Sequence, residues 1–340
     1  MQKVVITGFG FMGGMHAQVY LGLPEAKITA IVDERKDAAQ AQADKIGLNV
    51  PIYASLDEAL RREKVDIVDV CLPTDQHARL AGQAAEAGKN VFCEKPLALT
   101  MAEAKNLKKI ITKTKVKFMV GHCIRFWPEY QSFESFVKSK KAGKLLSLTL
   151  QRRSGRPAYS AGNWLNQAKR SMGAALDLHI HDTDFVLHLL GKPKGVYSRA
   201  TKDATGFSHI FTNYLFTDKV VHAEGGWNYP ANWGFQMAFQ AIFENGTVEF
   251  DSGATPSLRA TIGSGKPEPL AFENPKSGES KAGTGNVSSL GGYFNELQYF
   301  VGCLEKGQAP KIATLDQSME SLRVVLAELE SAKKNKVVKV

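Results

Sequence analysis

The stretch Lys3-Val4-Val5-Ile6-Thr7-Gly8-Phe9-Gly10-Phe11-Met12-Gly13 decides the fold. Its first five residues read as a buried strand, and the chain from Met15 to Leu21 suits a helix. Between the two stand three glycines in the order G-x-G-x-x-G. The first permits a tight turn, the second lets backbone approach a pyrophosphate, and the third allows close packing of helix on strand. The helix N-terminus adds N–H donors and the positive end of a dipole. A second strand, Ile28 to Val32, ends in Asp33. That is about twenty residues past the last glycine, where a carboxylate accepts hydrogen bonds from an adenosine ribose. Gly8, Gly10, Phe11, Met12, Gly13 and Asp33 thus form a candidate dinucleotide site. The charge on Asp33 repels a 2′-phosphate, so NAD is expected over NADP, with Arg35 and Lys36 offsetting that repulsion only in part. Those two basic residues also read simply as a solvated helix start.

Strand and helix continue to alternate. Ser55-Leu56-Asp57-Glu58 is a capping box that opens a helix to Arg62. Ile67 to Leu72 is a strand ending at Pro73-Thr74, a helix follows from about Asp75 to Ala87, and Gly88 ends it. Val91-Phe92-Cys93 is a short buried strand, Thr100-Met101-Ala102-Glu103 a further capping box, and Lys117 to Gly121 the next strand. Such alternation is the pattern of a doubly wound parallel sheet, here over residues 1–122. Ligands of such sheets bind outside the carboxyl ends of the strands. This places Leu72, Pro73, Thr74 and His77, then Glu94-Lys95-Pro96, then His122 to Arg125, on the cofactor side. Pro96 lacks an N–H for a ladder, so the strand before it stops near Lys95.

From about Leu145 the pattern changes to strands with turn signals: Leu145 to Arg152, Gly195 to Thr201, Ile210 to Phe216, Val220 to Trp227, Phe235 to Phe243 and Thr247 to Phe250. Asn245-Gly246 reads as a hairpin turn. The fold class is therefore α/β followed by α+β: a doubly wound Rossmann domain over 1–122, then a domain over 123–340 built on a largely antiparallel open sheet. Thr314 to Gln317 caps a last helix, about 314–333, which is expected to return to the first domain. Residues 275–292, rich in Gly, Ser and Lys, are expected to form a mobile loop.

Within the second half, helical spacing places Asp177, His181, Asp184 and His188 on one face, with Gly191 and Pro193 closing the helix. A metal site from Asp177, His179, His181 and Asp184 suits ligand type, but His179 lies about 200° around the helix from Asp177, so no metal is expected. A purely structural stripe is a second reading, and a proton-transfer pair is preferred to both, because a carboxylate four residues before a histidine can orient the imidazole beside a substrate hydroxyl.

The chain resembles the Gfo/Idh/MocA oxidoreductases over nearly its whole length. The resemblance rests on Gly8 to Gly13, on Pro73-Thr74-Asp75-Gln76-His77, and on Gly88-Lys89-Asn90-Val91-Phe92-Cys93-Glu94-Lys95-Pro96-Leu97-Ala98. The Pro73 segment departs from the family's T-P-N-x-x-H pattern at Asp75 and Gln76. The family's D-x-x-x-H signature falls on Asp177 and His181. What the resemblance implies is an NAD-dependent dehydrogenase of a sugar, inositol or sugar acid, with an open sheet that pairs subunits into a homodimer or homotetramer. Lys95 would then polarise the reacting oxygen, His181 take its proton and Asp177 tune His181. Glu94 is expected at the cofactor ribose and Arg125 at the nicotinamide or an anionic group. Arg152, Arg156, Tyr159, Asn163 and Trp164 are candidate substrate contacts. Two alternatives from the same family are an NAD-dependent glycosidase and a non-enzymatic dinucleotide-sensing regulator.

Composition narrows the remaining classes. The 340 residues, 44% of them apolar, suffice for two cores. Neither a secretory h-region nor an apolar run long enough to span a bilayer is present, so a cytoplasmic protein without membrane partners is expected. Cys71, Cys93, Cys123 and Cys303 are widely spaced and read as reduced packing residues. The net charge of +9 invites a nucleic-acid partner. Its lysines, however, cluster on amphipathic helices and at the tail with little aromatic interleaving, so solvated faces are expected instead.

Overall fold

The structure, a computed structural model, describes residues 1–275 and 290–340. The chain forms two compact units. One comprises Met1–Cys123, Tyr159–Trp164 and Pro275–Glu320; the other comprises Ile124–Ala158, Leu165–Asn274 and Ser321–Val340.

In the first unit the expected alternation is present: β1 (Gln2–Thr7), α1 (Phe11–Leu21), β2 (Ala26–Val32), α2 (Lys36–Lys45), β3 (Ile52–Tyr53), α3 (Leu56–Arg62), β4 (Ile67–Val70), α4 (Thr74–Glu86), β5 (Asn90–Glu94), α5 (Met101–Thr114) and β6 (Phe118–Gly121). All neighbouring strands pair in parallel, in the order β3-β2-β1-β4-β5-β6. The order reverses between β1 and β4, the point at which a dinucleotide lies across sheets of this kind. Val4 to Ile6 of β1, Ile67, Val68 and Val70 of β4 and Val91 to Cys93 of β5 are fully buried, as mainly apolar strands with helices on both faces require. Ser55 accepts from the Glu58 N–H, and Thr100 and Glu103 form a reciprocal capping box, so these helices start where the local chemistry said they would.

The second unit holds α6 (Pro128–Ser139), β7 (Leu145–Gly155), α7 (Ala168–Ser171), α8 (Ala174–Asp177), α9 (Ile180–Leu190), β8 (Gly195–Asp203), β9 (Gly206–Leu215), β10 (Val220–Tyr229), β11 (Phe235–Phe243), β12 (Gly246–Asp251), β13 (Leu258–Ile262) and β14 (Glu268–Pro269). The chain then continues through α10 (Gly291–Glu305), in the first unit, and α11 (Leu315–Lys334) to β15 (Val338–Lys339). The nine-stranded sheet runs β14-β13-β12-β11-β7-β10-β9-β8-β15 and is antiparallel except where β7 meets β10. Tyr130 and Phe133 of α6 meet Phe185 of α9 and Phe239 and Phe250 of the sheet, with ring centroids 4.4 to 5.4 Å apart for the closest pairs. Aromatic rings thus fix these helices to one sheet face.

Two expectations need correction. The helix expected to run unbroken through Asp177 and His181 is divided: α8 ends at Asp177 and α9 begins at Ile180. The His181 N–H turns to the Leu178 carbonyl at 3.4 Å, and the His179 N–H to Ala174 at 2.9 Å, so the ladder changes register over Leu178 and His179. The glycine-rich stretch expected as a loop falls at residues 276–289 outside the described residues, and its last part, Gly291 and Gly292, opens α10. Among the described residues no helix is long and apolar enough to cross a membrane.

Candidate active site

The three glycines of the first turn each answer a different constraint. Gly8 has φ +80°, and a Cβ there would stand 2.8 Å from the Cys71 carbonyl oxygen just past β4. At Gly13 a Cβ would meet the Gly8 carbonyl oxygen at 2.2 Å. Gly10, the N-cap of α1, has open space where its Cβ would be. A pyrophosphate can therefore reach bare backbone at Gly10, with the N-terminus of α1 behind it, and the cradle fits a dinucleotide. Phe11 and Met12 follow in the first turn of α1. Tyr159, over half exposed, lies with its ring 5.1 Å from that of Phe11, while Asn163 is exposed and Trp164 half-buried.

Asp33, just past β2, holds this turn in place. Its Oδ2 accepts the Phe9 N–H at 2.9 Å, its Oδ1 accepts the Arg35 N–H at 2.8 Å, and the Arg35 guanidinium folds back to Oδ2 at 3.3 Å. The bend that sequence read as a solvated helix start is thus folded back onto the carboxylate.

At the ends of β4 and β5 the side chains are tied to one another. His77 on α4 places Nε2 2.6 Å from the Leu72 carbonyl and Nδ1 2.7 Å from the Pro96 carbonyl. Burial lowers its pKa, against the pull of these two bonds and of Glu94. Pro73 caps α4 and Thr74 begins it, buried. Lys95 follows β5, is partly buried, and donates its N–H to Glu94 Oε2 at 3.1 Å; the Lys95-Pro96 bond that follows is cis.

Glu94 differs from expectation. Rather than being set aside for a ribose, its carboxylate turns inward: Oε1 lies 3.0 Å from His16 Nε2, and a Cβ at Gly121 would crowd that oxygen at 3.0 Å. His16, fully buried on α1, also meets Asp69 Oδ2 at 2.8 Å and the Cys71 sulfur at 3.2 Å through Nδ1. Burial is the largest single influence and opposes its protonation, but the charge and hydrogen bond of Asp69 together with those of Cys71 outweigh it and raise the pKa well above the usual value. For Glu94, burial pushes upward while the bond and charge of His16 win, leaving it lowered. Glu296 on α10, wholly buried and with neither oxygen hydrogen-bonded among the described residues, has its pKa raised well above the ordinary value, first by burial and then by the charge of Glu94.

Sequence reasoning passed over His16, Asp69 and Glu296. The available signal was Asp69, a carboxylate in the middle of the apolar strand Ile67–Val70, since a buried charge demands a partner.

In the second unit, Asp177 ends α8, buried, and His181 stands in the first turn of α9, partly buried. The rest of the expected polar stripe goes to structural partners. Asp184 takes two hydrogen bonds of 2.7 Å from Arg125, and His188 meets Glu134 at 3.3 Å. Arg125 is thus committed to a buried carboxylate instead of standing open for a cofactor. Arg152, expected at a substrate, is buried with Nε and Nη2 on Asp182 at 3.0 and 2.9 Å. Arg156 is exposed and paired with Asp203 at 2.6 Å. His179 is wholly buried beside Glu328 at 3.0 Å and fills the space left by Gly225.

Comparison with known proteins agrees with this geometry. Residues 2–122 match the model of an oxidoreductase family with an NAD-binding Rossmann fold, and residues 130–273 match the Gfo/Idh/MocA C-terminal domain. Inositol 2-dehydrogenase of Rhizobium meliloti is 27% identical over 89% of this chain and 88% of its own length. The scyllo-inositol 2-dehydrogenase (NAD(+)) of Bacillus subtilis is 25% identical over 97% and 93%. Among solved structures, levoglucosan dehydrogenase in complex with NADH and levoglucosan superposes with a TM-score of 0.86 at 20% identity, covering 100% of this chain and 99% of that one.

Proposed function

The chain belongs to the Gfo/Idh/MocA family of NAD-binding oxidoreductases, and on that premise we propose that it is a dehydrogenase of a secondary alcohol on a sugar, inositol or sugar acid. The observation that carries this reading is the Glu94-Lys95-Pro96 turn, fixed at the carboxyl end of β5 in the sheet that bears the dinucleotide cradle. The relatives named as inositol dehydrogenases support a polyol substrate.

When bound, NAD supplies the hydride acceptor for the substrate C–H bond. The protein's own part is to handle the oxygen. Lys95, as an ammonium, donates a hydrogen bond to the reacting hydroxyl and stabilises the negative charge that grows on it. His181 takes the hydroxyl proton on its imidazole, and Asp177 orients that ring and stabilises the imidazolium formed. Tyr159, Trp164 and Arg156 contribute to substrate selection. Phe211, His222, Val220 and Ile242, exposed or half-exposed on one face of the second sheet, support pairing with a second copy through that face.

The test is turnover. Purified protein with NAD and a panel of inositols, sugars, anhydrosugars and sugar acids should generate sustained reduced-nicotinamide absorbance with at least one of them. Lys95→Ala should lower the turnover rate by about a hundredfold or more while NADH binding persists. Absence of turnover with every member of the panel would overturn the dehydrogenase reading.

A further inference from the structure

Lysine is a long, flexible side chain, so a catalytic ammonium is only as well placed as the backbone that carries it. Two buried histidines grip the turn around Lys95, one from each side. His16 bonds Glu94 Oε1 at 3.0 Å, and the other oxygen of that carboxylate accepts the Lys95 N–H at 3.1 Å. The His77 ring is wedged between the carbonyl of the next residue, Pro96, 2.7 Å from Nδ1, and the Leu72 carbonyl just past β4, 2.6 Å from Nε2, the single N–H of the neutral ring bonding one of the two. The residue before Lys95, its own N–H and the residue after it are all held.

We infer that His16 and His77 are positioning residues for Lys95. This rests on the role proposed above for that lysine. The fold itself has no need of the arrangement, because taking a histidine and its carboxylate partners out of water costs several kcal/mol, and apolar side chains of similar size commonly serve a core as well or better. Both ring nitrogens of His16 face carboxylate oxygens, which requires two N–H donors and therefore an imidazolium. A rigid charged link thus runs from Asp69 through His16 to Glu94 and the Lys95 N–H. Cys71 just past β4 and Glu296 and Tyr293 on α10 surround the same ring.

The experiment is a double-mutant cycle with an independent structural readout. His16→Leu strands two buried carboxylates and can fail to fold, so His16→Gln and His77→Gln, which keep a donor, are the variants used. Each should lower kcat on the best substrate of the panel by about tenfold to a hundredfold, with NADH affinity within about twofold of wild type. In a Lys95→Ala background the same substitutions should change the residual rate by less than about twofold, because their effect acts through that lysine. Losses that multiply with Lys95→Ala would overturn the inference. Hydrogen exchange over residues 92–98 reads the same question without activity. It should speed up at least about tenfold in both variants while the rest of the first sheet stays protected. Unchanged exchange there overturns the positioning role even if no substrate is found, whereas faster exchange in a protein without turnover overturns only the proposed reaction.

Discussion

Arg125 holds Asp184 through two hydrogen bonds of 2.7 Å, Nε to Oδ2 and Nη2 to Oδ1, with both side chains buried. Ser321 adds a third bond to Oδ1 at 2.6 Å. Deleting one member of such a pair leaves the other charged and unsolvated. Arg125→Met should therefore cost about 3–5 kcal/mol in urea unfolding, and Arg125→Met with Asp184→Leu should regain most of it. A double variant no more stable than the single one would show that shape, not charge, sets the cost.

The glycine turn predicts different phenotypes from the same Gly→Ala change at two positions. Gly13→Ala drives a methyl to 2.2 Å from the Gly8 carbonyl, where only backbone movement can relieve it, so both thermal stability and NADH binding should fall. Gly10→Ala meets nothing within the protein. It should leave the melting temperature within about 2 °C while weakening NADH at least about tenfold, because the methyl occupies the approach of the pyrophosphate. Equal NADH affinity in Gly10→Ala and wild type would place the pyrophosphate elsewhere.

These glycines also mark how far sequence alone reaches. The first sheet was readable because its signals are local: caps at Ser55 and Thr100, glycines at turns, and apolar runs too short for helices. The sheet of the second unit was readable strand by strand, but alternation names a face and not a neighbour, so the parallel pairing of β7 with β10 carried no signal. The break between α8 and α9 was equally silent, since Leu178 and His179 keep right-handed backbone and neither glycine nor proline interrupts them. Arg125 looked like a site residue because it follows a strand end on the cofactor side, and Asp184 because helical spacing puts it on the face of Asp177 and His181. They are 59 residues apart, and only the fold reveals that each is the other's partner. His16 was hidden for the same reason, its partners lying 53 and 78 residues away.

Glu296 links the buried cluster to pH. Its carboxyl is raised by burial and by Glu94, so the folded chain keeps a proton that the unfolded chain releases above its ordinary pKa of 4.5. Stability from this group is fully present below that value and is lost as pH rises toward the raised folded pKa, by about 1.4 kcal/mol per unit. Glu296→Gln keeps the shape and removes the titration. The melting temperature of the variant relative to wild type should therefore climb as pH rises from about 5 toward neutrality. A difference that stays flat over that interval would mean that Glu296 is ionised in the folded protein.

Asp33 serves two ends, and one substitution separates them. Its carboxylate anchors the Phe9 N–H and so shapes the glycine turn, and its charge disfavours a 2′-phosphate. Asn at this position still offers an oxygen to Phe9, so Asp33→Asn should melt within about 2 °C of wild type. The negative charge is gone, however, and Arg35, now folded onto that carboxylate at 3.3 Å, is released to meet a phosphate. The ratio of NADPH to NADH affinity, measured by fluorescence titration, should rise about tenfold to a hundredfold, since charged hydrogen bonds are worth about 1.5–3 kcal/mol. Arg35→Ala on top of Asp33→Asn should remove the part of that gain that comes from attraction and leave the part that comes from lost repulsion. If Asp33→Asn leaves the ratio unchanged, the adenosine ribose does not lie against Asp33, and discrimination between the two cofactors must come from another part of the turn.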